Sequence, residues 1–217
     1  MVRVKVCGIT NLEDALVGVA AGADALGFNF WPRSPRYIEP GRAAELIAHL
    51  PPFVTPVAVV VNEERSRLER LVEQTGVRAL QLHGEERPEE VAALALTKSG
   101  PAGRGVAVVK ALRVGHSFRP QQLRPYAGVA AFLLDAEVKG QRGGTGKTFD
   151  WKWARPANRY GRILLAGGLT VENVAEAIRQ AQPYGVDVCS GVETKPGRKD
   201  HGRLRAFIER AKGIPCP

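Results

Sequence analysis

Two short stretches decide the fold: RILLAGG at residues 162–168 and GVDVCSG at residues 185–191. Each is an apolar run of strand length that ends in small residues, and the helix-like run VENVAEAIRQ lies between them. A strand, a helix and a second strand form a βαβ unit, whose strands are parallel and buried on both faces. The sequence therefore predicts two parallel strands, each followed by a glycine-containing turn.

The same alternation runs through the whole chain of 217 residues. Eight strands are expected, each followed by a helix, near Arg3–Cys7, Ala25–Phe28, Val57–Val61, Ala79–His83, Val106–Leu112, Ala131–Asp135, Arg162–Ala166 and Val186–Cys189. Eight βα units predict a single parallel (β/α)8 barrel, or TIM barrel, that spans residues 1–217 as one domain. An open doubly wound sheet of the flavodoxin or Rossmann type is the alternative.

Local signals mark several helix boundaries. Thr10 or Asn11 is expected to cap the first helix, and Thr170 the helix between the last two strands. Pro88 is expected to open the fourth helix, because the missing N–H of proline is tolerated in the first turn. Gly76 is expected to end the third helix.

The composition excludes several classes of protein. The chain starts without the apolar core of a signal peptide and contains no apolar run near the roughly 18 residues of a membrane span, so we expect a cytoplasmic protein with no membrane partner. Three scattered cysteines without CxxC spacing argue against zinc and against a disulfide framework. The formal net charge of +9 raises the alternative of a basic nucleic-acid-binding or scaffold barrel. No nucleic-acid-binding motif accompanies that charge, so we expect no nucleic-acid partner.

Polar residues recur near the carboxyl ends of the predicted strands. A barrel interior is mostly aliphatic, so polar side chains that point into it are costly unless they are paired or used. Alternation along the strands gives an expected inward set of Lys5, Cys7, Gln81, His83, Lys110, Asp135 and Asp187. Taken singly, Gln81 is also explained as core filler and Lys110 as a side chain that reaches solvent. Strands one and eight are neighbours in a closed barrel, which predicts an ion pair between Lys5 and Asp187.

Glycines after the last two strands predict an anion site. Gly167 and Gly168 follow strand seven, and Ser190 and Gly191 follow strand eight, where backbone N–H groups can approach a phosphate. The later Gly-Lys-Thr sequence is not a P-loop, because Gln141 occupies the position where that motif requires its first glycine. We therefore expect a small phosphorylated substrate and neither ATP nor GTP.

Eight short motifs, taken together and in order, are specific to one family: KVCGIT at 5–10, GFNF at 27–30, SPRYI at 34–38, QLHG at 81–84, LDA at 134–136, GGTGKTFDW at 143–151, LAGGL at 165–169, and DV at 187–188 leading to SGVE at 190–193. With them, the chain closely resembles the phosphoribosylanthranilate isomerases of tryptophan biosynthesis. The resemblance implies an isomerase that carries out an Amadori rearrangement on a TIM barrel, with no cofactor and no metal ion. Another phosphate-binding barrel isomerase is the nearest alternative, although the histidine-pathway enzyme that performs the same rearrangement has Asp where Cys7 stands.

The resemblance also implies roles for individual residues. By matching position, Asp135 is the general acid that protonates the furanose ring oxygen, and Cys7 is the general base that removes the proton from C2′. Cys7 must then be a thiolate at neutral pH, and Lys5 on the same face is expected to lower its pKa. His83 and Asp187, with Lys5, are expected to support the site.

Three other positions complete the sequence-based expectations. Arg36, in the loop after strand two, is expected to bind the anthranilate carboxylate through its two-pronged guanidinium. Cys189 replaces a small polar residue that is more usual in the family, and it ends the strand beside that of Cys7. The apolar loop Pro51–Val54 lies on the predicted amino-terminal face and suggests a homodimer contact.

Overall fold

Eight parallel strands close into a barrel in the computed structural model, which describes residues 1–95, 105–115, 117–136, 151 and 154–214. The strands are β1 Arg3–Cys7, β2 Ala25–Asn29, β3 Thr55–Val60, β4 Ala79–Leu82, β5 Ala107–Val114, β6 Ala131–Ala136, β7 Ile163–Leu165 and β8 Gly185–Val188. Closure is direct, because β1 pairs with β2 on one side and with β8 on the other. The predicted (β/α)8 barrel is confirmed, and the open sheet is wrong.

Helices follow most of the strands. They are α1 Leu12–Ala20, α2 Pro40–Ala48, α3 Arg65–Thr75, α4 Pro88–Ala95, α5 Ala154–Ala157, α6 Val174–Ala181 and α7 His201–Lys212. A 3₁₀ helix, Pro120–Tyr126, takes the place of the α-helix expected after β5, and it contains Pro125, which cannot donate a backbone hydrogen bond. None of the described helices has both the length and the apolar character needed to cross a bilayer.

The predicted helix boundaries hold with one exception. Asn11 caps α1 by accepting a hydrogen bond from the N–H of Asp14, Gly76 ends α3 at a φ of 70°, and Pro88 opens α4. Thr170 does not cap α6. The side chain of Asn173 instead accepts the N–H of Thr170 at 2.8 Å, which closes a turn and delays the start of the helix.

The core has two parts, one between the barrel and its helices and a smaller one inside the barrel. Six aliphatic residues fill the described interior cluster: Val109, Ala111, Ala131, Leu133, Leu164 and Ala166. Since Val109 and Ala111 face inward, Lys110 between them must face the helix layer, and the prediction that it points into the barrel is wrong. It is buried there, with its Nζ 2.6 Å from Glu86 Oε2 and 2.9 Å from the carbonyl oxygen of Gly84.

A short hairpin after β8 returns the chain over the barrel mouth. It consists of a 3₁₀ turn, Ser190–Val192, and the strands β9 Glu193–Lys195 and β10 Arg198–Lys199. Its end is fixed to α1 because the N–H of Lys199 donates to Asp14 Oδ2 at 2.9 Å. The hairpin therefore brings the side chains of Glu193 and Lys199 back to the carboxyl end of β1.

Candidate active site

A pocket of about 470 Å³ lies at the carboxyl ends of the strands. Eight of the ten predicted site residues line it, namely Cys7, Arg36, His83, Asp135, Gly167, Gly168, Asp187 and Ser190. The other two adjoin lining residues, since Lys5 bonds to Asp187 and Gly191 follows Ser190. The barrel thus brings the whole predicted set to one place.

Cys7 lies at the end of β1, buried among a second thiol and two lysines. Its pKa is well below the ordinary value for cysteine, chiefly because the thiol of Cys189 donates a hydrogen bond to it, and because Lys5 and Lys199 are positively charged. Burial opposes this shift and is outweighed. The same hydrogen bond raises the pKa of Cys189, which remains the thiol partner. Of the two cysteines, Cys7 is therefore the one with the lowered pKa.

The predicted ion pair between Lys5 and Asp187 is present, with Nζ and Oδ1 separated by 2.8 Å and both side chains buried. Burial lowers the pKa of Lys5, but the acids Asp187 and Cys7 outweigh burial and raise it. The pKa of Asp187 is raised to about 7, chiefly by burial and also by the neighbouring Cys7, against the effect of Lys5. Lys5 therefore stays protonated and places a positive charge near the Cys7 sulfur.

Space for these groups depends on Gly27 of β2, which pairs with Cys7. A Cβ atom at Gly27 would lie 2.9 Å from Cys7 Sγ and 3.1 Å from Lys5 Nζ. Real Cβ atoms essentially never approach a heavy atom so closely, so any other residue would displace the thiolate or its lysine. The glycine of the GFNF motif is thus explained by close packing against the site.

Asp135 and His83 meet on the other side of the pocket. His83 Nε2 lies 3.2 Å from Asp135 Oδ2, and His83 Nδ1 lies 2.9 Å from the amide nitrogen of Gln81. Gln81 and Asp135 are almost completely buried, and all three side chains line the pocket. A carboxyl group at the end of β6 therefore faces the same cavity as the cysteine at the end of β1.

Arg36 is held by a carboxylate of the hairpin. Its Nε lies 2.9 Å from Glu193 Oε1, and its Nη2 lies 2.6 Å from Glu193 Oε2. Glu193 also accepts from Lys199 Nζ at 2.9 Å, and Lys199 Nζ donates to the carbonyl oxygen of Cys7 at 2.6 Å. One side of the Arg36 guanidinium is thus fixed by protein, and the rest of it belongs to the pocket lining.

The ion pair between Glu193 and Lys199 could not be predicted from the sequence. Lys199 belongs to a stretch rich in basic residues, Lys195–Arg205, a composition typical of a solvated surface, yet its side chain is fully buried. Both residues belong to a hairpin with no hydrophobic periodicity, so only a contact across the fold identifies them. The one local signal is that Glu193 is itself the last residue of the SGVE motif.

The glycines after β7 and β8 allow their two loops to pack tightly. Gly167 and Gly168 have φ values of 81° and 65°, in the left-handed region that favours glycine. A Cβ atom on Gly191 would lie 1.9 Å from the carbonyl oxygen of Leu169, so the loop after β8 rests directly on the loop after β7. The two turns form one glycine-lined edge of the pocket.

Some sequence features lie outside the described residues, namely Gly143–Asp150 of the GGTGKTFDW motif, including Lys147, and Cys216. Among the described residues, no group of three or more His, Cys, Asp or Glu side chains is arranged to hold a metal ion. No role is assigned to Lys147 or Cys216 on structural grounds.

Replacement of Cys189 by alanine is expected to raise the pH at which Cys7 becomes reactive. A hydrogen bond to a charged group contributes about 1.5–3 kcal/mol, and one pKa unit corresponds to about 1.4 kcal/mol, so the midpoint is expected to rise by about one to two units. Alkylation of Cys7 by iodoacetamide across a pH series, read by peptide mass spectrometry, measures that midpoint.

The matched control for this prediction is Cys189→Ser, which keeps a hydroxyl donor at the same position. It is expected to retain most of the lowering of the Cys7 pKa. A midpoint for Cys189→Ala within 0.3 units of the wild type would contradict the assigned hydrogen bond.

The comparisons with known proteins agree with this geometry. A family model described as N-(5′-phosphoribosyl)anthranilate (PRA) isomerase matches residues 4–210. The chain is 48% identical over 212 residues to the N-(5′-phosphoribosyl)anthranilate isomerase of Pelobacter propionicus, an alignment that covers 98% of this chain and 96% of that protein. The match therefore extends over essentially the full length of both sequences.

Solved structures give the same result. Phosphoribosylanthranilate isomerase from Thermotoga maritima superposes with a TM-score of 0.87 at 43% identity, over 99% of this chain and all of that one. An isomerase in complex with reduced 1-(o-carboxyphenylamino)-1-deoxyribulose 5-phosphate gives 0.84 at 42% identity, with the same coverage. Another T. maritima structure, of monomeric forms of a dimeric isomerase, gives 0.83 at 41% identity, again over 99% and 100% of the two chains. The chain belongs to the N-(5′-phosphoribosyl)anthranilate isomerase family.

Proposed function

We propose that this chain catalyses the Amadori rearrangement of N-(5′-phosphoribosyl)anthranilate to 1-(2-carboxyphenylamino)-1-deoxyribulose 5-phosphate in tryptophan biosynthesis, with Cys7 and Asp135 as its base and acid. Membership of the family supports the reaction. One observation supports the residues: a single pocket holds a carboxyl group at the end of β6 and a cysteine of lowered pKa at the end of β1. The two groups can then act on different atoms of one sugar.

The proton transfers follow from this arrangement. Asp135 donates a proton to the ring oxygen, and the C1′–O bond breaks with its electron pair moving to that oxygen, which leaves an iminium between C1′ and the aryl nitrogen. The iminium withdraws electrons from C2′, and the Cys7 thiolate removes the C2′ proton. The resulting enol-amine takes up a proton at C1′ and loses the proton of its C2′ hydroxyl, which gives the C2′ ketone. The Cys7 thiol then returns its proton to solvent and the Asp135 carboxylate takes one up, so that both groups regain their starting states. The reaction is redox-neutral overall, and no group is transferred.

The two charged ends of the substrate have separate proposed binding sites in the pocket. The glycine-lined edge formed by Gly167, Gly168, Ser190 and Gly191 is proposed to bind the phosphate through backbone N–H groups. Arg36 is proposed to bind the anthranilate carboxylate. Binding at both ends would place the ribose carbons between Cys7 and Asp135, so orientation contributes to catalysis as well as proton transfer.

The direct test of the proposed function is conversion of freshly formed phosphoribosylanthranilate by the purified wild-type chain. Because substrate and product are isomers of equal mass, the conversion is followed by ¹³C NMR. Loss of the anomeric carbon signal of the N-glycoside and appearance of the ketone carbon of the ketose phosphate support the proposal. A folded wild-type protein that forms no ketose above the uncatalysed rate overturns it. Salt-sensitive retention of nucleic acid by that inactive protein would favour the basic scaffold instead.

Arg36→Lys is expected to raise KM about 10- to 100-fold with a much smaller change in kcat. Lysine keeps the charge but cannot present two parallel N–H donors to a carboxylate, and charged hydrogen bonds of this kind contribute about 1.5–3 kcal/mol. Steady-state kinetics measures both constants. Arg33→Lys is the matched control, because Arg33 lines the same pocket from the same loop. An equal KM for Arg36→Lys and the wild type would show that Arg36 does not bind the anthranilate carboxylate.

A homodimer is proposed through the loop Pro51–Val54, where the side chain of Phe53 is 95% exposed. Full exposure of a phenylalanine directly after two exposed prolines favours burial against a second copy. Phe53→Glu is expected to shift the sedimentation coefficient from dimer to monomer, whereas Leu16→Glu, at an exposed leucine of α1, should leave it unchanged. A monomeric wild-type protein at micromolar concentration would contradict this contact.

A further inference from the structure

Gln81 has a polar side chain that neither the proposed proton transfers nor the fold accounts for. It lies on β4, is 1% exposed, and lines the pocket among aliphatic neighbours. Its carbonyl oxygen Oε1 has no hydrogen-bond partner among the described residues. A buried acceptor without a partner costs about 1–3 kcal/mol, which a leucine at this position would avoid. The contribution of Gln81 must therefore come from its amide nitrogen.

Among the described residues, that nitrogen is within hydrogen-bond distance of the Nδ1 atom of His83, at 2.9 Å. An amide N–H can only donate, so Nδ1 must carry the lone pair, and the proton of the neutral imidazole must then be on Nε2. The reverse amide orientation would place the carbonyl against Nδ1 and leave the buried NH₂ group without a partner. Buried N–H groups without a partner are rarer than buried carbonyls without one, which favours the orientation described.

The same reasoning extends from His83 to Asp135. Nε2 lies 3.2 Å from Asp135 Oδ2, so a proton on Nε2 makes Oδ2 an acceptor. The proton of the carboxylic acid must then be on Oδ1. This oxygen lies on the side of Gly167, where a Cβ atom would approach it to 2.8 Å, and no described residue donates a hydrogen bond to it.

We propose that Gln81 is a positioning residue that fixes the Nε2–H tautomer of His83 and thereby makes Oδ1 the oxygen from which Asp135 delivers its proton. The inference rests on the proposed function, in which Asp135 is the general acid. In the reaction, the proton leaves Oδ1 for the ring oxygen of the sugar, while the Nε2–H of His83 stays in place and stabilises the carboxylate that forms on Asp135. Gln81 touches neither the proton that moves nor the bond that breaks.

The tautomer can be measured independently of catalysis. The chain has four histidines, and the ¹⁵N NMR signals of His83 in histidine-labelled protein are assigned by their loss in His83→Asn. The wild type is expected to show an unprotonated Nδ1 and a protonated Nε2 at neutral pH. A protonated Nδ1 in the wild type overturns the proposal, whatever the isomerase activity of the protein.

Two variants test the consequence for catalysis. Gln81→Glu keeps the shape but presents only acceptors, so Nδ1 is expected to become protonated, and Gln81→Leu removes the donor, so the preference for Nε2–H is expected to disappear. In each, kcat is expected to fall about tenfold, the contribution of one hydrogen bond, with KM within about twofold of the wild type.

The outcomes separate the positioning role from the proposed function. A changed tautomer in Gln81→Leu with an unchanged kcat overturns the positioning role while leaving the isomerase assignment in place. A wild-type protein with the expected tautomer but without turnover of phosphoribosylanthranilate overturns the proposed function, and with it the catalytic part of this inference. A folded Gln81→Leu variant with both the wild-type tautomer and the wild-type kcat would show that Gln81 only fills space in the core.

Discussion

Asp135→Asn is expected to lower kcat for the isomerisation about 10²- to 10⁴-fold while KM stays within a few-fold of the wild type. The range is that of a positioned general acid or base. Asparagine has nearly the same shape and can still accept a hydrogen bond from His83 Nε2, but it has no acidic proton to give to the ring oxygen. Single-turnover and steady-state kinetics of the purified variant provide both constants.

The control for this prediction is binding in the absence of chemistry. Reduced 1-(o-carboxyphenylamino)-1-deoxyribulose 5-phosphate, the compound bound in a related structure, is a suitable calorimetric probe. Its affinity for Asp135→Asn should remain near that of the wild type, since the phosphate and carboxylate contacts are intact. A kcat within tenfold of the wild type would show that Asp135 is not the general acid.

Cys7→Ser is expected to lower kcat by a comparable or larger factor. The serine hydroxyl has almost the volume of the thiol, but Lys5, Lys199 and the Cys189 donor cannot ionise an alcohol at neutral pH as they do a thiol. No base would then face the C2′ proton. Loss of a general base again predicts a fall of about 10²- to 10⁴-fold.

Cys189→Ser is the matched control, because it makes the same sulfur-to-oxygen change on the adjacent strand. Its kcat is expected to stay within about tenfold of the wild type, since serine still donates a hydrogen bond to the Cys7 sulfur. Circular dichroism and thermal unfolding should show both variants folded. Equal and large losses in both variants would indicate damage to the pocket rather than removal of a base.

The number, order and approximate boundaries of the strands could be predicted because apolar runs of strand length recur eight times along the chain, with glycines at several of the turns between elements. The face of the strand toward which each side chain points could be predicted less accurately. On β1 the alternation of side chains between the two faces places Lys5 and Cys7 correctly. On β5 the predicted alternation is out of phase by one residue, and it therefore places Lys110 in the barrel interior instead of the helix layer. The two basic residues of β5, Lys110 and Arg113, are three positions apart and therefore point to opposite faces, so they do not set the phase of the strand.

The site could be predicted where a residue stands in a motif at the end of a strand, as Cys7, Asp135 and the paired glycines do. The hydrogen bonds that orient these site residues could not be predicted. Glu193 fixes Arg36 across 157 positions of sequence, and Lys199 donates to the Cys7 carbonyl across 192. Contacts of that separation exist only once the barrel has closed, and no local pattern records them.

The central claim is that the thiolate of Cys7 is the base of the reaction, and one paired titration tests it most directly. The acid limb of the pH profile of kcat/KM reports the essential base of the free enzyme, and alkylation of Cys7 reports its thiol directly. Because the Cys7 pKa is lowered, kcat/KM is expected to hold at neutral pH and to fall only as pH drops through that pKa. The two midpoints should coincide in the wild type and rise together in Cys189→Ala; a kcat/KM midpoint that stays fixed while the alkylation midpoint moves would contradict the account.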